Sequence, residues 1–312
     1  MIVIAGWIAV VAMAALLVTQ YVDWTGTREI VALQTLTPYV VLPAFPIAAL
    51  ALVARRWTLA GTAAAVAVVL VALCWPLLFP PDQPAVAAGA TPLRVFHGNL
   101  LYSNPRPDDI PDAVASLDAD VLTFTEYTAE HSAIFLASPL AGEYPFRIEY
   151  PEPGAGGSAI WSRYPLAEID TPDSRFRSSA AVVESPDPVT LFVVHPPSPM
   201  VSLGEWRDEL DLLKALGKGA APVMMIGDFN ASYWHPEFRR VLDAGWRDAH
   251  QVTGHGFATS WPADIGPLPA FVRIDHALVN DGLVVVAVVD IDVPGSDHRG
   301  LLVDVAAADL LD

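Results

Sequence analysis

The chain of 312 residues has a single cysteine, Cys74, which excludes an intrachain disulfide. It has no run of Lys or Arg; 17 basic residues stand against 35 acidic ones, for a formal net charge of −18. Proteins that grip duplex nucleic acid usually present a basic face that displaces counterions from phosphates, so this balance argues against that class. Charge is also missing from three long apolar stretches near the front, residues 1–21, 37–54 and 57–79. Each is close to the ~20 residues a helix needs to cross the hydrocarbon core. Three such stretches in the first 80 residues read as membrane spans rather than buried soluble helices. No Lys or Arg precedes the first, which makes it a poor cleaved signal peptide.

The sparse loop charges set an orientation. Arg55 and Arg56 lie between the second and third stretches, which by the positive-inside rule makes that loop cytoplasmic. The N-terminus is then inside, and everything after the third span emerges outside. Arg28, Arg55 and Arg56 balance Asp23, Glu29 and Asp82 in residues 1–90, so the whole −18 belongs to the rest. The expected organisation is a membrane anchor over 1–80, a Pro/Ala-rich linker over 81–92 ("PDQPAVAAGATP") and a catalytic domain over 93–306.

Past Leu93 the pattern alternates between strand and helix. "LRVFHGNL" (93–100), "VLTFTE" (121–126), "SAIWSRYPL" (158–166), "TLFVVHP" (190–196), "VMMIGDFN" (223–230), "RIDHALV" (273–279) and "GLLVDVA" (300–306) read as strands. "LVVVAVV" (283–289) reads as a strand buried on both faces. Helical spacing predicts helices over 108–120, 202–216 and 236–245, the last closed by Gly245. The pattern suggests packed sheets with helices outside.

One feature recurs. Asn99, Glu126, His195, Asp228 with Asn230, Asp275 with His276, and Asp297 with His298 each lie at or beside the end of an apolar strand. A single strand-end Asp or Asn is usually a turn residue bonding its own backbone. Six such places, all rich in Asp, Glu, Asn and His, point instead to chemistry mounted on a rigid scaffold.

With Asn99, Glu126, "SAIWSRYPL", His195, "GDFN", "RIDH" and "SDHRG" in that order, residues 93–306 resemble the endonuclease/exonuclease/phosphatase superfamily. The resemblance implies an α/β fold, a four-layer DNase I-like sandwich, here preceded by three transmembrane helices. It implies metal-dependent phosphoester hydrolysis with Mg²⁺ or Mn²⁺ as cofactor. Glu126 is then the principal metal ligand, Asn99 helps hold metal-bound water or phosphate, and Asp297 contacts the metal or its waters; hard cations favour such oxygen donors. Asp228 would orient or deprotonate the attacking water, and Asn230 and His195 would bind phosphate. Asp275 and His298 would form a carboxylate–imidazole pair, with His298 either a base or a cationic clamp. His276 is taken as structural; His97 shares the parity of Asn99, which leaves a supporting place near the site as the lesser of its two readings. Arg163, Trp161, Trp234 and Trp261 are read chiefly as packing and bracing residues, whereas His131, His235, His250 and His255 read as surface or loop residues.

Leu101 stands where repair nucleases of the superfamily commonly carry an acidic or polar residue, and Ser158 where some relatives have Asn. Both departures weaken a repair-nuclease reading. The sequence looks like membrane-anchored bacterial members of the superfamily with a catalytic domain outside a multi-pass anchor. Tethering favours a lipid-linked or small phosphoester beside the bilayer. Two alternatives stay open: an extracellular nuclease without sequence preference, and a silent membrane scaffold. The sequence leaves the oligomeric state undetermined.

Overall fold

The computed structural model describes residues 1–217, 219, 221–264 and 269–309. In chain order the strands are β1 (Leu93–Asn99), β2 (Val121–Thr125), β3 (Phe146–Tyr150), β4 (Ser158–Ser162), β5 (Leu166–Glu168) and β6 (Ser179–Val183). There follow β7 (Val189–Val194), β8 (Val223–Asp228), β9 (Arg247–Asp248), β10 (Asp275–Val279), β11 (Leu283–Asp292) and β12 (Arg299–Ala307). Among the described residues they form two six-stranded sheets, ordered β11-β12-β1-β2-β4-β3 and β5-β6-β7-β8-β10-β9.

The alternation of apolar residues along the strands explains the packing, because successive side chains point to opposite faces. Val95, Val121, Ile160 and Val303 from the first sheet meet Leu191, Val193, Met224 and Ile226 from the second in one buried cluster. The opposite faces pack on helices. The first sheet's outer cluster takes in Ile110 and Val114 of α6 (Ile110–Ala115), Phe135 of α7 (Ala129–Ala137) and Leu140 of α8 (Leu140–Glu143), numbering from five helices that precede β1. The second sheet's outer cluster takes in Trp206 and Leu210 of α9 (Leu203–Leu213) and Phe238 and Val241 of α10 (Pro236–Asp243). Helix, sheet, sheet and helix make the four layers expected from the sequence.

Those five preceding helices are α1 (Ile2–Tyr21), α2 (Arg28–Thr35), α3 (Thr37–Val41), α4 (Ala44–Val53) and α5 (Trp57–Leu78). α1 and α5 are each long and apolar enough to cross a membrane. A third span exists only if the bent pair formed by Arg28–Thr35 and Thr37–Val53, which meet at 73°, counts as one. The helical segment thus starts nine residues earlier than the apolar run predicts. Its first part, capped by the Thr27 hydroxyl, carries Glu29 and packs on the outer cluster of the second sheet.

Several expectations are corrected. "SAIWSRYPL" is two strands: β4 and β5 belong to different sheets, and the turn that carries the chain between them contains Pro165, which has no N–H for a ladder. The helix expected over 108–120 is a 3₁₀ turn at Pro107–Asp109 followed by α6, which stops at Ala115. β11 is an edge strand with a bulge at Val285/Ala287, so Val286 and Val289 face outward rather than lying buried. The linker is pinned. Val86 bridges Ala308, the Ala87 N–H donates to Ala307 O at 2.9 Å, and Gln83 exchanges hydrogen bonds with the Val285 backbone.

Candidate active site

β1 and β2 run parallel, as do β7 and β8, whereas β10 and β12 run antiparallel to their partners. The C-terminal ends of the first four strands therefore share one edge with the N-terminal ends of β10 and β12. The period of two then delivers the site. Val95, His97 and Asn99 share a face, as do Leu191, Val193 and His195; so do Met224, Ile226 and Asp228, and so do Val279, Ala277 and Asp275. In each set the apolar members lie in the inter-sheet core and a polar residue ends the row.

Asp228 is the hub and is buried. Its Oδ2 lies 3.2 Å from Asn99 Nδ2, 3.5 Å from His195 Nε2, 3.5 Å from Asn230 Nδ2 and 3.8 Å from His298 Nε2. Its Oδ1 accepts the Asn230 backbone N–H at 2.8 Å. β8 pairs Asp228 directly with Asp275, and the Asp275 carboxylate bonds His298 Nδ1 at 2.8 Å. Asn99, Glu126 and His298 come from the first sheet, and His195, Asp228 and Asp275 from the second. Gly227 allows the approach of β7 to β8, since a Cβ there would stand 1.9 Å from Val194 O.

Charge follows from this crowding. Burial would lower His298, but the charges of Asp275, Asp228 and Asp297 and the Asp275 hydrogen bond raise it to about 10. Burial likewise opposes the charged form of His195, and hydrogen bonding and charge from Asp228 outweigh it, holding the ring above its ordinary value. Burial would raise Asp228, yet His298 and His195 hold its carboxyl far below the carboxylate range. The site therefore sets an imidazolium, His298, and a second imidazole of raised proton affinity, His195, around an ionised carboxylate. His97 differs: burial pushes it down to about 3, and it stays neutral behind Asp228, with Nδ1 at 3.1 Å from Thr123 Oγ1.

Glu126 follows β2 and is partly exposed. Among the described residues its oxygens accept from uncharged N–H groups, Asn99 Nδ2 at 3.1 Å and the Tyr102 backbone at 2.9 Å. Its negative charge thus faces the cleft with lone pairs to spare, and an all-oxygen carboxylate site fits a hard divalent cation. Asn99 has turned its amide N–H groups to Glu126 and Asp228, while its Oδ1 accepts from Leu101 N at 3.0 Å. Asp228, Asp275 and His298 also lie close enough to gather round one ion. Asp297 Oδ2 accepts the indole N–H of Trp261 at 3.1 Å, and its Oδ1 lies 3.9 Å from His298 Nε2. Asn230 donates one amide hydrogen to Pro196 O at 3.0 Å. Leu101, Glu126 and Asn230 all have left-handed backbone, with φ of 56°, 55° and 46°. Such strain costs roughly 1–3 kcal/mol per residue and clusters where geometry serves function.

His276 is structural: it is buried, bonded to Asp248, and its Nε2–H donates to Ala231 O at 3.0 Å. Three histidines read as surface residues are buried instead. His131 closes the capping box of α7, His250 sits between Asp290 and Arg273, and His235 caps α10. Each is buried because its ring nitrogens find backbone or side-chain partners there; His255 is exposed, as expected. Arg163 braces the fold through Asp118 at 2.7 Å, and Trp161 is core. Trp234 packs with the apolar helices that precede β1. Ser296 was missed. Its hydroxyl donates to Asn99 O at 2.7 Å and accepts the His298 N–H at 3.1 Å, tying the "SDH" turn to β1; its place at the head of that turn was the available signal. Phe176, which packs on His195 at 4.8 Å between ring centres, carried no signal at all.

The Endonuclease/Exonuclease/phosphatase family model matches residues 94–298. No curated protein matches the chain. Among solved structures, D. rerio TDP2 complexed with single strand DNA product is similar at 18% identity and a TM-score of 0.57, over 69% of this chain and 99% of that one. An AP endonuclease from Archaeoglobus fulgidus is similar at 16% identity and 0.53, over 70% and 100%. An endonuclease/exonuclease/phosphatase from Beutenbergia cavernae DSM 12333 is similar at 18% identity and 0.51, over 70% and 72%. These identities speak for a shared fold. Together with the family match across about two thirds of its length, they give the conclusion that this chain belongs to the endonuclease/exonuclease/phosphatase family.

Proposed function

We propose that the chain is a membrane-anchored, metal-dependent phosphoester hydrolase that cleaves a lipid-linked or small phosphoester by in-line attack of water. The observation that carries this reading is the convergence of Asn99, His195, Asn230 and His298 on Asp228 Oδ2 within 3.8 Å. Asp228 orients the attacking water. Its depressed pKa makes it a weak base that stays ionised, so it orients the water by accepting its hydrogen bond rather than by taking its proton. His298, cationic at neutral pH, and His195, whose proton affinity Asp228 raises, clamp the phosphate and oppose the charge that develops in the transition state. Asn230 holds Pro196 O with one amide hydrogen, and a phosphate oxygen would take the other from its long 3.5 Å contact with Asp228 Oδ2. Asp275 holds His298 in one orientation. Glu126, its carboxylate fixed by Asn99, would hold Mg²⁺ or Mn²⁺ with Asp297 reaching the metal or its waters, and the bound ion would supply charge stabilisation to the transferring phosphoryl oxygens.

A substrate at the bilayer is favoured by the loop that follows His195. Met200 and Val201 there are exposed apolar residues, and Arg28, at the start of α2, donates to Val201 O at 3.2 Å. The lip beside His195 is thereby tied to the segment that leaves α1. The placement of the domain outside the cell rests on Arg55 and Arg56. They lie at the far end of α5, which covers about 33 Å at 1.5 Å per residue, whereas Leu73 and Pro76 near its other end touch Tyr233 and Gln251.

A second reading is a nuclease, favoured by two similar structures, one complexed with single strand DNA product and the other an AP endonuclease. Salt separates the two, since nucleic-acid binding weakens steeply as salt rises. The deciding experiment offers the full chain in detergent, with Mg²⁺ or Mn²⁺ and then excess EDTA, a panel of phospholipids, isoprenoid phosphates, plasmid DNA and single-stranded RNA. Metal-dependent release from a lipid substrate, absent in His298→Ala, is the expected result. Cleavage of nucleic acid alone would replace the reading with the second, and equal turnover in the variant would remove the site from the chemistry.

A further inference from the structure

The first extramembrane segment does more than join two helices. Val31 of α2 is fully buried, and it is buried among residues of the catalytic domain: Phe229, Ala231, Trp206 and Phe238 belong to the same cluster. Phe229 and Ala231 flank Asn230. One residue relays this contact to the site loop. His235 accepts the Ser232 backbone N–H on Nδ1 at 2.9 Å, so its single proton sits on Nε2. That nitrogen faces two acceptors on α2, Thr35 Oγ1 at 2.8 Å and Val31 O at 3.1 Å. Burial pushes His235 down to about 4, which keeps the ring neutral, and the Ser232 N–H fixes the tautomer. Trp206 closes the arrangement, with its ring edge-on to His235 and its indole N–H donating to Asn230 O at 3.1 Å.

We propose that α2 is a positioning element of the active site, and that His235 is the positioning residue that transmits its hold to the loop carrying Asp228 and Asn230. The turn from Asp228 to His235 leaves β8 with strained backbone at Asn230 and is gripped from outside by a helix that the sequence assigns to the anchor. Grip on that side sets where the Asn230 amide stands relative to Asp228. Separating the catalytic domain from residues 1–80 would therefore leave His235 Nε2 without its acceptors and open the cluster around Val31. The kinetic part of this inference rests on the hydrolytic reading above; the structural part does not.

The test uses the full chain in detergent micelles, with bis(4-nitrophenyl) phosphate and Mg²⁺ as the kinetic probe and amide hydrogen exchange as an independent readout. Thr35→Val and His235→Ala should lower kcat about tenfold or more with little change in KM, because displacement of a catalytic group by about 1 Å is costly. Exchange should quicken over residues 229–235 and stay unchanged in β1 and β2. Thr35→Ser should restore both. Tyr39→Phe, which removes an anchor-to-domain hydrogen bond to Phe271 O away from this loop, should alter neither. If His235→Ala does not fold, Thr35→Val and Val31→Ala address the same contact from the α2 side. Unchanged exchange over 229–235, a uniform rise across the domain, or local loosening with unaltered kcat would each overturn the inference. Absence of turnover by the unmodified chain would count against the hydrolytic reading, and the exchange result would still decide whether α2 holds the loop.

Discussion

His298 Nδ1 lies 2.8 Å from Asp275 Oδ2, a buried contact that joins the head of β12 in one sheet to the head of β10 in the other. The pair has a pH signature. His298 is raised to about 10 from an ordinary value near 6.5, so the stability it contributes is fully present below about 6.5 and is lost as pH rises through about 10. The thermal midpoint should fall across that window, and activity should share the alkaline limb because the clamp needs its proton. Asp275→Asn should move that limb to lower pH and cost about 3–5 kcal/mol, the usual penalty for removing one partner of a buried ion pair. Thermal melts and rate profiles between pH 6 and 10 check both; an alkaline limb unmoved in the variant would dissociate His298 from it.

Glu126 is the carboxylate with least internal compensation. Glu126→Gln should raise the Mg²⁺ concentration for half-maximal activity by tenfold or more while the folded spectrum is kept, on the order of the losses seen when metal sites are perturbed. A metal titration that superimposes on the unmodified protein would strike Glu126 from the ligand set.

Gly227 sits between Ile226, in the core, and Asp228, in the site. A methyl group there meets Val194 O, which belongs to backbone and cannot step aside. Gly227→Ala should push β8 from β7 and separate Asp228 from His195, with turnover lost and stability reduced by about 1–3 kcal/mol, as for other overpacked positions. Calorimetry and turnover together test this. A variant of unimpaired activity would show that the strands can part without harm to the site.

Orientation has its own test. A reporter active only outside the cytoplasm, appended to the chain, should be active, and exchanging Arg55 and Arg56 for Glu should reduce that activity by disturbing the charge bias. Activity of a cytoplasmic reporter at the same place would reverse the assignment.

The parts of this protein legible in its sequence are those governed by local periodicity. Apolar runs along 93–99, 223–228 and 275–279 mark the strands and put Asn99, Asp228 and Asp275 at their ends. β3 and β6 went unseen: β3 is an outer strand of mixed exposure and β6 is built largely of Ser and Ala, and neither has a strong alternating signature. The long-range partners were invisible for a different reason. That His235 meets Thr35 across 200 residues, or that Trp261 serves Asp297, depends on how finished elements dock, which no short window records. The pinning of residues 83–87 was hidden too, because proline and alanine tracts look the same whether free or laid along an edge.

Since Asn99, Glu126 and His298 ride on one sheet and His195, Asp228 and Asp275 on the other, the site is a seam stitched across the sandwich. Its dimensions are a ruler for the interior. A cavity or an extra methylene anywhere in the layer of Val95, Val193, Ile226 and Val303 shifts one half of the constellation against the other. Turnover should therefore register small errors of core packing, well below those that melt the domain, and the aliphatic residues between the sheets are constrained by chemistry they never touch.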